Sequence, residues 1–269
     1  MRKKVMIFIK LFLINTYIAS SIPPLASLVK EIAGNKYEVV YIVSGFQNPH
    51  TYEIKPSDIS KVVNAELYFE IGGHLEGWGS KLCSLHRNCV NLCGKLKDKG
   101  IEVENPHIWL DLKLIPECAK IIEEEMKKTF PEDSSLFKAN LEVFTHNLSS
   151  MVESLKVEFS ELKGTKAVLY HPSWNGFLEA FGIQVAGSLV HHGEKEISAG
   201  EYVRWIQRIK NEGVSLVISD INIPSKIPEN LAKESGVCFV NLNPLFEGPF
   251  IESLEEQALL IRGAMKCRK

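Results

Sequence analysis

Apolar positions along this chain follow two alternating rhythms. After Pro23-Pro24, residues Leu25, Leu28, Val29, Ile32 and Ala33 recur at steps of three and four, the stripe of an amphipathic helix, and Gly34 stops it. The run Glu38-Val39-Val40-Tyr41-Ile42-Val43 then reads as a buried strand. Pro56-Ser57-Asp58-Ile59 opens a short helix through Val62 and Val63, and Leu67-Tyr68-Phe69-Glu70-Ile71 reads as the next strand, closed by Gly72-Gly73. The second half shows the same alternation. Lys166 to Tyr170, Leu216 to Ser219 and Val237 to Val240 read as strands, with helical stretches around Trp174 to Phe181 and Tyr202 to Lys210. Short apolar strands alternating with helices predict an α/β protein of two lobes, each a parallel sheet flanked by helices.

Between the halves, Phe137, Leu141, Phe144, Leu148, Met151, Leu155, Phe159 and Leu162 recur at helical steps, from the start signal Pro131-Glu132-Asp133-Ser134 to Gly164. This predicts one long helix, on the order of 40 Å at the usual rise per residue. A rod of that length would join the lobes rigidly, and an ordinary long core helix is the other reading. The expected organisation is a signal segment at 1–19, an amino-terminal lobe at 20–130, the linking helix at 131–164 and a carboxyl-terminal lobe at 165–269.

A length of 269 residues with 45% apolar content supports two cores of ordinary size. The net charge of -2, with charges of both signs interspersed, argues against a nucleic-acid partner. Met1-Arg2-Lys3-Lys4 followed by the apolar run from Val5 to Ile14 reads as a secretory signal, although Lys10 interrupts it and Ala19-Ser20-Ser21 is only an approximate cleavage point. An apolar first strand with a basic start is the other reading. The run is short for a membrane span, and no cysteine follows it closely, so a lipid-anchored terminus is not expected. Six cysteines suit an oxidising compartment, but their spacing dictates no framework. Cys238 with Cys267 is the disulfide expected, against buried free thiols as the alternative.

Three of the eight histidines stand at proline-marked junctions: Asn48-Pro49-His50, Asn105-Pro106-His107 and Tyr170-His171-Pro172. Imidazole is the commonest protein ligand for zinc, and three converging from separate loops make most of a tetrahedral shell. No local pattern such as His-x-x-x-His ties them together, and spacing alone equally allows surface histidines.

Other segments accompany these. Lys55-Pro56-Ser57-Asp58 follows His50-Thr51-Tyr52-Glu53. Gly73-His74-Leu75-Glu76-Gly77-Trp78 comes next, and His107 opens His107-Ile108-Trp109-Leu110-Asp111. In the second half stand Tyr170-His171-Pro172-Ser173-Trp174 with Phe181-Gly182-Ile183, then Glu196-Ile197-Ser198-Ala199 and Leu242-Asn243-Pro244-Leu245. Taken in order, they resemble the metal-binding class of ABC-transporter solute-binding proteins, which deliver zinc or manganese to a membrane importer. Ile197 stands where that family's pattern has proline.

The resemblance implies His50, His107 and His171 as metal ligands, with an aspartate as the fourth. Asn243 stands at the aspartate's position, a weaker neutral donor. Asp220 and Glu247 are the candidate substitutes. A histidine-rich shell implies Zn2+ as the carried ion, ahead of Mn2+. The resemblance further implies a monomer, exported to the periplasm or cell exterior, whose partner is an ABC importer permease and which catalyses no reaction. His74 and the pair His191-His192 could serve as accessory donors, and read more simply as surface residues. The family likeness also puts Thr16-Tyr17-Ile18-Ala19 in the first strand, in conflict with cleavage after Ser20. Two rivals stay open. One is a zinc hydrolase with an open fourth position and Glu76, Asp220 or Glu247 as general base. The other is an interaction or adhesion protein that has lost tight metal binding through Asn243.

Overall fold

The computed structural model describes residues 16–190 and 197–268. Strand β1 (Tyr17–Ser20) leads into α1 (Pro23–Ala33), where the two prolines occupy the first helical turn and need no hydrogen-bond partner for a missing N–H. Then come β2 (Glu38–Tyr41), α2 (Pro56–Val63), β3 (Leu67–Glu70), α3 (Gly79–Leu85), β4 (Cys89–Asn91), α4 (Leu92–Asp98) and α5 (Ile115–Thr129). These form a parallel sheet in the order β2-β1-β3-β4 with its helices. The helix α6 (Ser134–Glu158) lies between the two halves. The second lobe holds β5 (Lys166–Leu169), α7 (Asn175–Ala180), β6 (Gln184–Ser188), α8 (Ala199–Glu212), β7 (Val214–Asp220), α9 (Ile227–Ser235), β8 (Cys238–Leu242) and α10 (Phe250–Ala264), and its parallel sheet runs β6-β5-β7-β8.

The two-lobed α/β architecture is the one the apolar rhythm predicts, with one local correction. The run from Glu38 is no buried strand: β2 is a sheet edge, paired only with β1, and its residues are exposed or half-buried. The expected signal segment at 1–19 overlaps β1, whose Tyr17, Ile18 and Ala19 pair with Glu38, Val39 and Val40 on one side, while Ile18 and Ala19 also pair with Leu67 and Tyr68 on the other. Residues 17–19 make up three of the four residues of that interior strand, and the apolar run of the expected leader, Val5 to Ile14, lies outside the described residues. The Gly72-Gly73 stop is a tight turn: Gly72 has φ 78°, and a Cβ there would lie 2.3 Å from the Asn91 amide.

No helix among the described residues is long and apolar enough to cross a membrane. With 25 residues, α6 spans about 37 Å. It buries Phe137, Phe144, Leu148, Met151 and Leu155. At its start Phe137 meets Tyr37 of the first lobe with ring centroids 5.8 Å apart, and the Asn140 amide donates to the Ile32 carbonyl at the end of α1. Further along, Phe144 meets Phe250 of α10 at 6.0 Å. A single apolar core therefore runs through both lobes and the linking helix, while a smaller one, around Val168, Val217, Ile209 and Leu231, lies under α8 and α9.

Cys238 and Cys267 form the expected disulfide, tying β8 to the turn after α10 with Cα atoms 5.7 Å apart. Cys83 and Cys89 form a second bridge that spacing did not reveal, and Cys93 and Cys118 are buried free thiols.

Because α6 is the shared wall of both lobes, truncating its buried face should destabilise the whole chain. Phe144→Ala is expected to cost about 3–5 kcal/mol in denaturant unfolding, whereas Val143→Ala, at a side chain that is 60% exposed, changes stability by less than about 0.5 kcal/mol. Equal effects of the two would mean that α6 is not the common core.

Candidate metal centre

His50, His107 and His171 come from three different connections, yet their rings meet. His50 lies in the loop after β2, His107 caps the short 3-10 turn Ile108–Leu110, and His171 follows β5 by two residues. The ring centroids are 5.5 Å apart for His50 and His107, 5.2 Å for His50 and His171, and 4.9 Å for His107 and His171. One nitrogen from each lies within 4.8 Å of the other two. Four-coordinate zinc, with bonds of roughly 2.0–2.1 Å, asks for nitrogens about 3.3 Å apart. Small side-chain adjustments bridge that difference. His107 and His171 are buried and His50 is half-buried, so the cluster sits at the bottom of the cleft.

The loops that carry these rings share a local code. In Asn48-Pro49-His50 the Asn48 side-chain oxygen accepts the His50 N–H at 3.0 Å, and in Asn105-Pro106-His107 Asn105 does the same for His107, also at 3.0 Å. Asparagine folds back on its own backbone two residues on, and proline fixes the intervening φ. Asn105 does more. Its Nδ2 donates to the Pro172 carbonyl across the cleft at 2.6 Å, an acceptor that cannot donate, so its oxygen faces His107. That oxygen stands 2.7 Å from His107 Nδ1, which therefore carries the proton and leaves Nε2 as the donor to an ion.

His171 has a different neighbour. Asp220, at the end of β7, accepts from Ser173 Oγ at 2.6 Å and from Trp174 Nε1 at 2.9 Å, and its Oδ2 lies 3.6 Å from His171 Nδ1. Asp220 thus lies behind His171, beyond hydrogen-bond distance of its ring and outside the group of converging donors; both of its oxygens already accept hydrogen bonds. The Trp78 indole anchors the Pro49 carbonyl at 3.0 Å, fixing the His50 loop. Trp109 does the same across the cleft, donating to the Pro244 carbonyl at 2.7 Å.

The remaining expected residues lie apart. Asn243 does not line the cavity; its side-chain oxygen accepts the Leu245 N–H at 3.0 Å, a third Asn-Pro-x turn of the same design. Glu247 is exposed and holds the Gly45 N–H at 2.8 Å. Glu76 is buried in the turn after β3, accepting from Ile71 and Gly72, and burial pushes its carboxyl up to about 7. Neither glutamate faces the histidines, which removes them as general bases there. His74 sits exposed on the turn after β3, and His191-His192 lie outside the described residues. Sequence reasoning passed over Asn105, Trp109 and Asn222. The repeated Asn-Pro-x signature was the available signal for the first.

The cavity the histidines close is ≈ 10 Å³, about the room one water needs. It admits one ion and excludes a larger ligand. Its other lining residues are Pro49, Leu75, Trp109, Asp220, Asn222, Ile223, Pro244 and Leu245.

A two-lobed fold with a one-ion histidine site between the lobes defines a metal-binding solute-binding protein. The family model for ZnuA, the periplasmic component A of the zinc-uptake complex, matches residues 18–258, and the chain belongs to that family. The family is one of transport proteins that serve ABC importers, not of enzymes, which leaves the hydrolase alternative without support. Among curated relatives, the manganese ABC transporter substrate-binding lipoprotein PsaA of Streptococcus pneumoniae is 25% identical over 250 residues, 87% of this chain and 79% of its own length. The manganese-binding lipoprotein MntA of Halalkalibacterium halodurans is 23% identical over 227 residues, 82% of this chain and 76% of its own. Among solved structures, a crystal structure of ZnuA superimposes with a TM-score of 0.82 at 27% identity, covering 93% of this chain and 99% of that one. The periplasmic zinc-binding protein TroA of Treponema pallidum reaches 0.82 at 20% identity, with the same coverage of both chains, a likeness of fold.

Asn105 couples ring orientation to the cross-cleft contact. Asn105→Ala should weaken metal binding by roughly 10–100-fold, the usual cost of losing a partner behind a metal-binding histidine, measured by competition with a chromophoric chelator. An unchanged affinity would mean that His107 is oriented by something else.

Proposed function

We propose that this protein captures a single Zn2+ ion, in preference to Mn2+, through His50, His107 and His171, outside the cytoplasm, and passes it as a monomer to the permease of an ABC importer. The observation that carries this reading is the convergence of three imidazoles from both lobes, within 4.8 Å of one another, on a cavity with room for one ion. The choice of zinc rests on the donor set. Three neutral nitrogens suit zinc, whereas manganese favours carboxylate oxygen, and the one carboxylate lining the cavity is occupied with Ser173 and Trp174. The relatives' names point both ways, to manganese in PsaA and MntA and to zinc in ZnuA and TroA. Export is supported by the lipoprotein names of the relatives and the periplasmic description of the family.

Metal capture predicts a stabilised folded state. At a free zinc concentration about 100 times the Kd, binding should add about 2.7 kcal/mol and raise the melting temperature. Equal molar Mn2+ should give a smaller rise. His107→Ala should abolish most of the zinc-dependent rise while leaving the metal-free melting temperature near that of the parent. Affinity should fall steeply below about pH 6.5, where free imidazole gains a proton and can no longer donate to a metal. A melting temperature indifferent to zinc, or a greater response to manganese, would overturn the respective part of the reading.

A further inference from the structure

Five polar side chains line the cavity: His50, His107, His171, Asp220 and Asn222. Everything else around it is apolar or proline. Asp220 commits both oxygens to Ser173 and Trp174. Asn222 differs. It is only 6% exposed, yet its Oδ1 has no hydrogen-bond partner among the described residues. Leaving a buried acceptor unsatisfied is destabilising, and buried polar atoms in native proteins are almost always paired. An orphaned oxygen beside three converging imidazoles is the arrangement expected of a donor whose partner is the ion.

The local chain supports the placement. Ile221 N–H donates to Leu242 O at 2.9 Å and Ile223 N–H to Asp220 O at 3.1 Å, so the residues flanking Asn222 are pinned to the ends of β8 and β7. The same turn thus presents Asp220 behind His171 and Asn222 to the cavity. Asn243, by contrast, is locked on both sides. Its backbone N–H donates to Gln257 at 2.8 Å, and its side-chain oxygen closes the turn to Leu245.

We infer that the Asn222 side-chain oxygen is the fourth donor to the bound ion, at a position two residues beyond Asp220 rather than at Asn243. This rests on the metal-capture reading above. The resulting shell has three imidazole nitrogens and one neutral amide oxygen. It supplies no anionic donor, which penalises a hard cation such as Mn2+ more than Zn2+, so residue 222 sets metal preference as well as affinity.

The test compares Zn2+, Mn2+ and Co2+ binding to the full chain and to Asn222→Leu, Asn222→Asp and Asn243→Asp, by chelator competition and by the visible spectrum of the Co2+ form. Asn222→Leu should weaken zinc at least about tenfold and shift the Co2+ bands, with the metal-free melting temperature as the control for folding. Asn222→Asp keeps an oxygen in place and should raise Mn2+ affinity relative to Zn2+. Asn243→Asp, whose carboxylate can close the same turn, should leave both affinities and the spectrum unchanged. Wild-type zinc affinity and an unaltered Co2+ spectrum in Asn222→Leu would overturn the inference alone. So would an Asn243→Asp variant that gains more affinity than Asn222→Asp. A parent protein that binds none of the three ions overturns the metal-capture reading with it.

Discussion

Two hydrogen bonds cross the cleft at the histidine cluster, Asn105 to Pro172 and Trp109 to Pro244. They set the distance between the lobes where the rings must meet. Each is made by a residue two positions from His107 and ends on the carbonyl of a proline in the second lobe. Backbone carbonyls held by proline are rigid acceptors. The rings' mutual position is therefore determined by backbone geometry, not by long flexible side chains, which is what a site for one small ion requires. A ligand shell tolerates displacements of only a few tenths of an ångström before its bonds weaken.

The shared core makes the same demand at larger scale. Helix α6 touches the first lobe through Phe137 and Asn140 and the second through Phe144. Further contacts reinforce it: Ser27 Oγ donates to Gly248 O at 2.6 Å, and Gly45 N–H to Glu247 Oε1 at 2.8 Å. Wide hinge opening would break a continuous apolar core, at a cost that grows with the area exposed. An ion held by the three rings would then be exchanged by local movement of the loops that bear them. The half-buried His50, on the long loop between β2 and α2, is the most accessible of the three.

The apolar rhythm made the architecture legible, because parallel strands and amphipathic helices leave distinct periods in the chain. It misjudged β2, since an edge strand can be as apolar as an interior one: sequence does not record which neighbour is missing. It missed β4, only three residues long and set in a polar stretch. The three histidines could be named in advance through their proline-marked junctions and the family likeness. Their distances could not, because they depend on contacts between residues 67 and 135 positions apart. Asn243 shows where an aligned position misleads. Asn48, Asn105 and Asn243 all precede proline and all close the same turn, so at 243 the residue's backbone task is visible while its expected task as a donor has no geometry to support it. Asn222 carried no motif, and only burial without a partner singles it out.

The cysteines bear on the same chemistry. Thiolate is a stronger ligand for soft and borderline ions than imidazole, and a reactive cysteine would compete for the cargo. All six are withdrawn from that competition. Four are tied in disulfides, including Cys83 and Cys89, whose sulfurs lie beside the Glu70 carboxylate and would otherwise complete a three-donor cluster. The remaining two are buried: desolvation pushes the Cys93 thiol up to about 12 and raises Cys118 as well. Both stay protonated at neutral pH and do not bind metal in that form. Among the described residues, the histidine cluster is thus left as the group of converging donors that no disulfide closes.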